Sequence, residues 1–315
     1  MLSRREYLTL TATACGALAL RSRLVAAAEP GDLITKAIPK TGEHLPVVGL
    51  GSSATFSQSA AREELDALSE VFKTMVERGG TVFDTAPGYG ASEEVAARLV
   101  NELGLRDKVF WATKMNTAGF GGGAADPAAG RRQIDTSLER LGRNIDLMQV
   151  HNVAALETQV PVVAEYKAQG KVRYIGATST FKGQYGTLEA AMRNMPLDFI
   201  GIDYAVDNVS AEERILPLAQ EKGIAVLAYL PFGRTRLFRR VKDLEVPAWA
   251  HEFGATTWAQ FFLKFAAAHP AVTAVTPATS DPEHMIDNIA AARGRLPDAA
   301  ERKRMIEVIE GLPEA

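Results

Sequence analysis

A single cysteine, Cys15, stands among 315 residues. An internal disulfide framework and a cysteine-rich zinc site are therefore excluded. No uninterrupted apolar run reaches the roughly 18 residues that a membrane-spanning helix needs, so no stable membrane anchor is expected. Neither sign of charge dominates: 35 Lys and Arg face 38 Asp and Glu, for a net charge of −3. That balance argues against a nucleic-acid partner. Small net charge with 47% apolar residues also excludes disorder as the main state. A complete Gly-x-Gly-x-x-Gly turn is missing after the first apolar run, where Gly49-Leu50-Gly51-Ser52 lacks the third glycine and weakens a doubly wound dinucleotide fold. What remains is enough apolar chain for one large domain or two small ones.

The first 28 residues differ from the rest. Ser3-Arg4-Arg5-Glu6-Tyr7-Leu8 precedes a mildly apolar run to Leu20, and Ala26-Ala27-Ala28 follows. Charge, apolar run and small residues in that order read as a signal peptide cleaved after Ala28. The paired arginines resemble a twin-arginine signal, the bacterial route for proteins that fold before export. It implies the Tat export machinery as a partner and the periplasm as the destination. Arg21 and Arg23, between the apolar run and the cleavage site, depart from that pattern. Cleavage removes Cys15, four Arg and one Glu, taking the net charge to −6. A cysteine-free mature chain fits an oxidising compartment. The expected organisation is thus a signal at 1–28 and a single domain at 29–315.

Along that domain, short β-branched or apolar runs recur at residues 47–50, 81–83, 109–112, 145–150, 172–175, 199–202, 225–228 and 272–275. Segments with helical periodicity lie between them, such as 63–77 and 93–103. Asp126-Pro127 and Asp281-Pro282 are helix starts, an acidic cap followed by proline in the first turn. Eight strand–helix units in about 270 residues predict a (β/α)8 barrel. Residues 32–46 read as an N-terminal β-hairpin closing the barrel bottom, and 298–312 as a C-terminal helix.

In such a barrel the active site lies at the carboxyl ends of the strands. Three consecutive runs end there on titratable groups: Asp84, Lys114 and His151. Tyr89 follows Asp84 by five residues. A tyrosine hydroxyl, with an ordinary pKa near 10, is a weak acid for protonating an alkoxide. A lysine ammonium beside it favours the phenolate, and an aspartate holds that lysine charged where burial would neutralise it. A histidine can orient the substrate oxygen by a hydrogen bond. Together the four suit general acid catalysis of carbonyl reduction by a nicotinamide hydride. Standing alone, each reads as a solvated loop charge or a packing residue; their order on one rim carries the reading.

The chain resembles the aldo/keto reductase family over about residues 34–293. The resemblance rests on Leu45-Pro46-Val47-Val48-Gly49-Leu50-Gly51-Ser52, on Phe83-Asp84-Thr85-Ala86-Pro87-Gly88-Tyr89-Gly90 and on Ala112-Thr113-Lys114. Asp146-Leu147-Met148-Gln149-Val150-His151 and Gly170-Lys171-Val172-Arg173-Tyr174-Ile175-Gly176 extend it. It implies the (β/α)8 barrel, a small-molecule carbonyl substrate, NADP(H) as cofactor and the tetrad Asp84, Tyr89, Lys114 and His151. Gly51, Ser52 and Asp84 fall at cofactor positions. Where the family places Ser-Asn and Gln for the nicotinamide carboxamide, this chain has Thr178-Ser179 and Gly201. Tyr229 falls where the family stacks an aromatic ring on the nicotinamide.

Pro231, Gly233 and Arg234 lie in the loop after strand 7, whose run Arg234, Arg236, Arg239 and Arg240 can clamp a pyrophosphate or form a solvated face. Thr279, ahead of the helix start after strand 8, and Asn288, within that helix, are further cofactor positions; at the start, backbone N–H groups and the dipole favour phosphate. Ala278 and His284 replace the Lys and Arg that many members use for a 2′-phosphate, and Asp281 adds a repelling charge, which keeps NAD(H) open as the alternative. The loops 116–125 and 232–249 are expected as pocket walls. A monomer or weak oligomer is expected. The rival reading is a nicotinamide-binding redox sensor or accessory protein of the same fold with little turnover, prompted by the altered carboxamide contacts.

Overall fold

The computed structural model describes residues 31–119 and 122–313. The expected signal peptide and its cleavage site lie outside the described residues. Asp32–Ala315 form one compact unit.

A two-stranded antiparallel hairpin opens it, β1 (Thr35–Ala37) paired with β2 (His44–Pro46). Eight parallel strands follow: β3 (Leu50–Gly51), β4 (Val82–Asp84), β5 (Phe110–Met115), β6 (Ile145–Val150), β7 (Val172–Ser179), β8 (Phe199–Asp203), β9 (Ala225–Tyr229) and β10 (Ala274–Val275). Each pairs with its sequence neighbour. Bridges Val48–Val275 and Gly51–Ala278 join the last strand to the first, so the sheet closes into the expected (β/α)8 barrel. The first and last strands are shorter than the apolar runs around them. At this seam the backbones crowd: a Cβ on Gly51 would stand 2.7 Å from the Thr276 carbonyl oxygen.

The helices are α1 (Thr55–Ala61), α2 (Leu65–Glu77), α3 (Ser92–Glu102), α4 (Pro127–Leu141), α5 (Leu156–Ala168), α6 (Tyr185–Asn194), α7 (Ile215–Lys222), α8 (Arg236–Arg240), α9 (Trp258–Ala268), α10 (Pro282–Ala290) and α11 (Ala299–Glu310). Both Asp-Pro starts work as read. Asp126 accepts from the Ala128 N–H and Asp281 from the Glu283 N–H, satisfying donors that a helix leaves free. Asp298 and Glu301 form a capping box at α11. Helix α1 goes beyond the expected elements: its buried Phe56, Ser59 and Ala60 do follow helical spacing, but one large apolar side chain in seven residues is too short a pattern to read from sequence. The last unit's α10 packs on α2 of the first, closing the ring of helices. Among the described residues no helix is long and apolar enough to cross a membrane.

The core has two parts. The larger lies between helices and the barrel's outer face. The smaller plugs the barrel interior: Ile38 and Leu45 of the hairpin meet Val82, Phe110, Leu147, Phe199 and Ala274. Alternation along each strand then fixes what stands above this plug. Val82 inward puts Asp84 inward, and Phe110 and Ala112 put Lys114 inward. Leu147 puts Gln149 inward, and Ala225 and Leu227 do the same for Tyr229.

Candidate active site

The four residues expected to act together do converge. Lys114 is fully buried, and its ammonium donates to Asp84 Oδ1 at 2.5 Å and to the Thr85 carbonyl at 2.9 Å. Burial alone would push its pKa down; the charge of Asp84, aided by Tyr89, outweighs this and holds it above the ordinary lysine value. The same ammonium lies 5.0 Å from the centre of the Tyr89 ring. Tyr89 meets His151 edge-on, ring centres 5.6 Å apart, with hydroxyl and Nε2 at 3.5 Å, the long limit of a hydrogen bond. Burial, with the Lys114 charge second, pushes the His151 pKa down to about 3. The imidazole is neutral at neutral pH and can donate only from the nitrogen that carries its proton.

All four line one cavity of about 1040 Å³, which runs from the barrel mouth to the start of α10. It is at the upper end for small-molecule sites. Two residues that line it carry buried hydroxyls, Ser52 Oγ and Thr276 Oγ1, with no hydrogen-bond partner among the described residues. Buried polar atoms are nearly always paired, so these two mark places for a ligand's polar groups. Among the described lining residues, Lys114 and Arg234 are the only Lys or Arg.

Of the expected cofactor positions, Gly51, Ser52, Asp84 and Thr178 line this cavity, as do Tyr229, Pro231, Arg234, Thr279 and Asn288. Thr178 Oγ1 already accepts from the Asn152 N–H at 3.1 Å. Two expected positions stand outside it. Ser179 is one residue past Thr178 and so points away from the barrel interior. Its hydroxyl donates to Gln184 Oε1 at 3.0 Å. Gly233 is buried in a turn at φ +54°, and the Arg236 guanidinium packs within 2.7 Å of where its Cβ would be. The arginine run is also mostly engaged elsewhere. Arg236 pairs with Asp207, and Arg240 donates to the carbonyls of Ile309, Leu312 and Pro313.

The pocket walls differ from expectation on one side. Pro231, Phe232 and Phe238 wall the cavity, as does Trp258. The loop 116–125 gives the cavity none of its described residues; Asn116 lines a separate chamber of about 60 Å³ with Lys114 and His151. Phe181 and Gln184, after β7, serve instead. Asn152, Leu230, Arg234 and Ala54 line the cavity with left-handed backbone, strain of the kind that collects at functional sites.

Sequence reasoning missed Gln149 and the meaning of Gly201. The Gln149 amide donates to Asp84 Oδ2 at 3.0 Å; its signal was its place two residues before His151 on an alternating strand. Gly201 lacks a side chain because Tyr229 fills that space: a Cβ there would stand 2.2 Å from the Tyr229 ring. One of the departures that prompted the sensor reading thus has a packing cause.

The family model for aldo/keto reductases matches residues 47–305. The chain belongs to the aldo/keto reductase family. Aldo-keto reductase YhdN of Bacillus subtilis is 32% identical over 203 residues, 61% of this chain and 60% of that protein. Aldo-keto reductase str7 of Strobilurus tenacellus is 33% identical over 172 residues, 52% of this chain and 50% of that one. The chain thus spans half to three-fifths of the length of these relatives. An aldo/keto reductase from Klebsiella pneumoniae, solved in complex with NADP and acetate, superposes with a TM-score of 0.71 at 22% identity, covering 87% of this chain and 94% of that one. The holo form of AKR11C1 from Bacillus halodurans gives 0.68 at 22%, covering 88% and 96%. Both show the barrel of this family.

Proposed function

We propose that the protein is an NAD(P)H-dependent carbonyl reductase that interconverts an aldehyde or ketone and its alcohol. The buried Lys114–Asp84 pair beside Tyr89, with neutral His151 across from it, carries this reading. A nicotinamide cofactor supplies the hydride when bound. Tyr89 passes its hydroxyl proton to the carbonyl oxygen, and the positive Lys114 favours the phenolate left behind. Asp84 keeps Lys114 charged in its buried setting. His151, uncharged, orients the carbonyl without competing as an acid.

The residues present fit a dinucleotide. The hydroxyls of the lining residues Ser52 and Thr276, without a partner among the described residues, offer hydrogen bonds. Arg234 offers a charge to phosphate, while Thr279 precedes the α10 start and Asn288 lies in the helix's last turn, both lining the cavity. NADP(H) is supported by the NADP-bound Klebsiella relative. NAD(H) is the second reading, favoured by a specific feature: at the α10 end the cavity presents Asp281 and Asp287 and no Lys or Arg. Titrating the protein with NADPH and NADH side by side, followed by turnover of an aldehyde panel, tests both. Binding without turnover would replace the reductase by the accessory-protein reading.

We further propose export to the periplasm through the twin-arginine route, supported by Arg4, Arg5 and Ala26-Ala27-Ala28. A monomer or weak oligomer is supported by the surface. Of the large apolar side chains exposed among the described residues, Phe181 and Phe238 line the cavity and Leu244 stands apart, which leaves little apolar patch for a stable interface.

A further inference from the structure

Asp84 receives three donors, and only one of them belongs to the tetrad. Lys114 takes Oδ1. Gln149 Nε2 and the Tyr229 hydroxyl both reach Oδ2 at 3.0 Å, and that hydroxyl also lies 3.0 Å from Gln149 Oε1. The two extra side chains reach Asp84 from strands where bulk is missing. Gln149 lies over Gly176, whose Cβ would stand 2.8 Å from it, and Tyr229 lies over Gly201. Even alanine at 201 would overlap the Tyr229 ring, so the glycine and the tyrosine occupy one space. Burial first, and the Asp84 charge next, push the Tyr229 pKa well above its ordinary value, so the hydroxyl stays a donor.

We propose that Tyr229, seated in the space Gly201 leaves open, is a positioning residue whose hydroxyl locks the Asp84 carboxylate behind Lys114. This rests on the reductase reading above. A carboxylate held on one oxygen only can rotate about its last bond and release Lys114. Donors on Oδ2 fix that rotation and disperse the charge that opposes loss of the Tyr89 proton. The ring of Tyr229 reaches the cavity, but the proposed work is done by its oxygen.

Tyr229→Phe separates the two, because it keeps the ring and removes the hydroxyl. Loss of a hydrogen bond to a charged group predicts a fall in kcat of about tenfold. NADPH affinity, read by quenching of protein fluorescence, stays within about twofold on the same reasoning, since no cofactor contact is removed. The alkaline limb of the kcat–pH profile moves to higher pH. Unchanged kcat and pH limb, or a loss of NADPH affinity that accounts for the whole effect, would overturn the proposal. A second measurement needs neither substrate nor cofactor. Gly201→Ala should lower Tm strongly with Tyr229 in place and little in a Tyr229→Ala background; additive losses refute the shared space. Should the wild type reduce no carbonyl, the reductase reading fails separately. The ionisation of Tyr89, followed by the near-ultraviolet absorbance that Tyr89→Phe removes, then decides. A shift to higher pH in Tyr229→Phe supports the positioning role and no shift rejects it.

Discussion

Arg236 grips Asp207 with two hydrogen bonds, Nε to Oδ2 at 2.7 Å and an NH2 contact to Oδ1 at 3.0 Å. This fork ties the start of α8 to the loop after β8, and it takes Arg236 out of reach of a cofactor. Arg234, at φ +63°, is left facing the cavity. Arg234→Ala should therefore weaken nicotinamide cofactor binding and flatten its dependence on salt, because an exposed charge acting on phosphate is screened. Arg236→Ala should leave the salt dependence alone and instead make the 232–241 segment more open to limited proteolysis. Equal effects of the two on the salt dependence would contradict this division.

Tyr89→Phe tests the proposed acid. The ring is kept, the fold and cofactor affinity should be kept with it, and carbonyl turnover should fall by about 10²-fold or more. Normal turnover in the variant would remove Tyr89 from the chemistry.

Two histidines contribute to the response to acid. Burial, then the Lys114 charge, takes His151 down to about 3. Burial, then Arg302, takes His269 down to about 4, against an opposing pull from Glu212. Both folded values lie below the ordinary 6.5, so the unfolded chain binds protons first as pH falls. Their contribution to stability is complete above pH 6.5 and is lost on acidification, down to about 4 for His269 and about 3 for His151. Tm measured across this window should fall. In His269→Asn, whose side-chain oxygen can replace Nδ1 as acceptor for the Ala271 N–H, the fall should be shallower. Over the same window kcat should show no limb near pH 6.5 from His151.

Much of this site was legible because strand alternation is a strict period of two. Once Val82, Phe110 and Leu147 are placed inside the barrel, Asp84, Lys114 and Gln149 must follow. The carboxyl ends of the runs were therefore readable, and so were the Asp-Pro helix starts, which act through local hydrogen bonds. What stayed hidden depends on contacts far apart in sequence. Nothing near Gly201 shows that Tyr229 fills its place, and nothing near Arg236 shows that Asp207 holds it. Ser179 was misplaced by one residue's worth of alternation, since Thr178 beside it takes the inward position.

Phe83 supports the site from behind. Its ring packs 5.0 Å from Trp111 and 4.9 Å from Phe72, centre to centre, and it immediately precedes Asp84 on β4. Removing a buried aromatic of this size costs about 3–5 kcal/mol. Phe83→Ala should lower the denaturation midpoint in proportion, and activity measured well below the transition should fall as well, because Asp84 loses its packed neighbour. Full activity in a destabilised but folded variant would show that Asp84 is held by its hydrogen bonds alone.

Export is tested at Arg4 and Arg5. The apolar run from Leu8 to Leu20 is 13 residues, about 20 Å as a helix at 1.5 Å per residue. That falls short of the roughly 30 Å hydrocarbon core, which disfavours a permanent anchor. The described barrel unit begins at Asp32, so a chain lacking residues 1–28 should fold and show the same carbonyl-reductase activity, at whatever level, as the full chain. Changing Arg4 and Arg5 to Lys keeps the local charge. If the twin-arginine receptor reads arginine rather than charge, active enzyme should then accumulate in the cytoplasm, and the wild type should appear in the periplasm with an N-terminus at Glu29. Recovery of the Lys variant from the periplasm at wild-type level, or a periplasmic protein still beginning near Met1, would defeat this route.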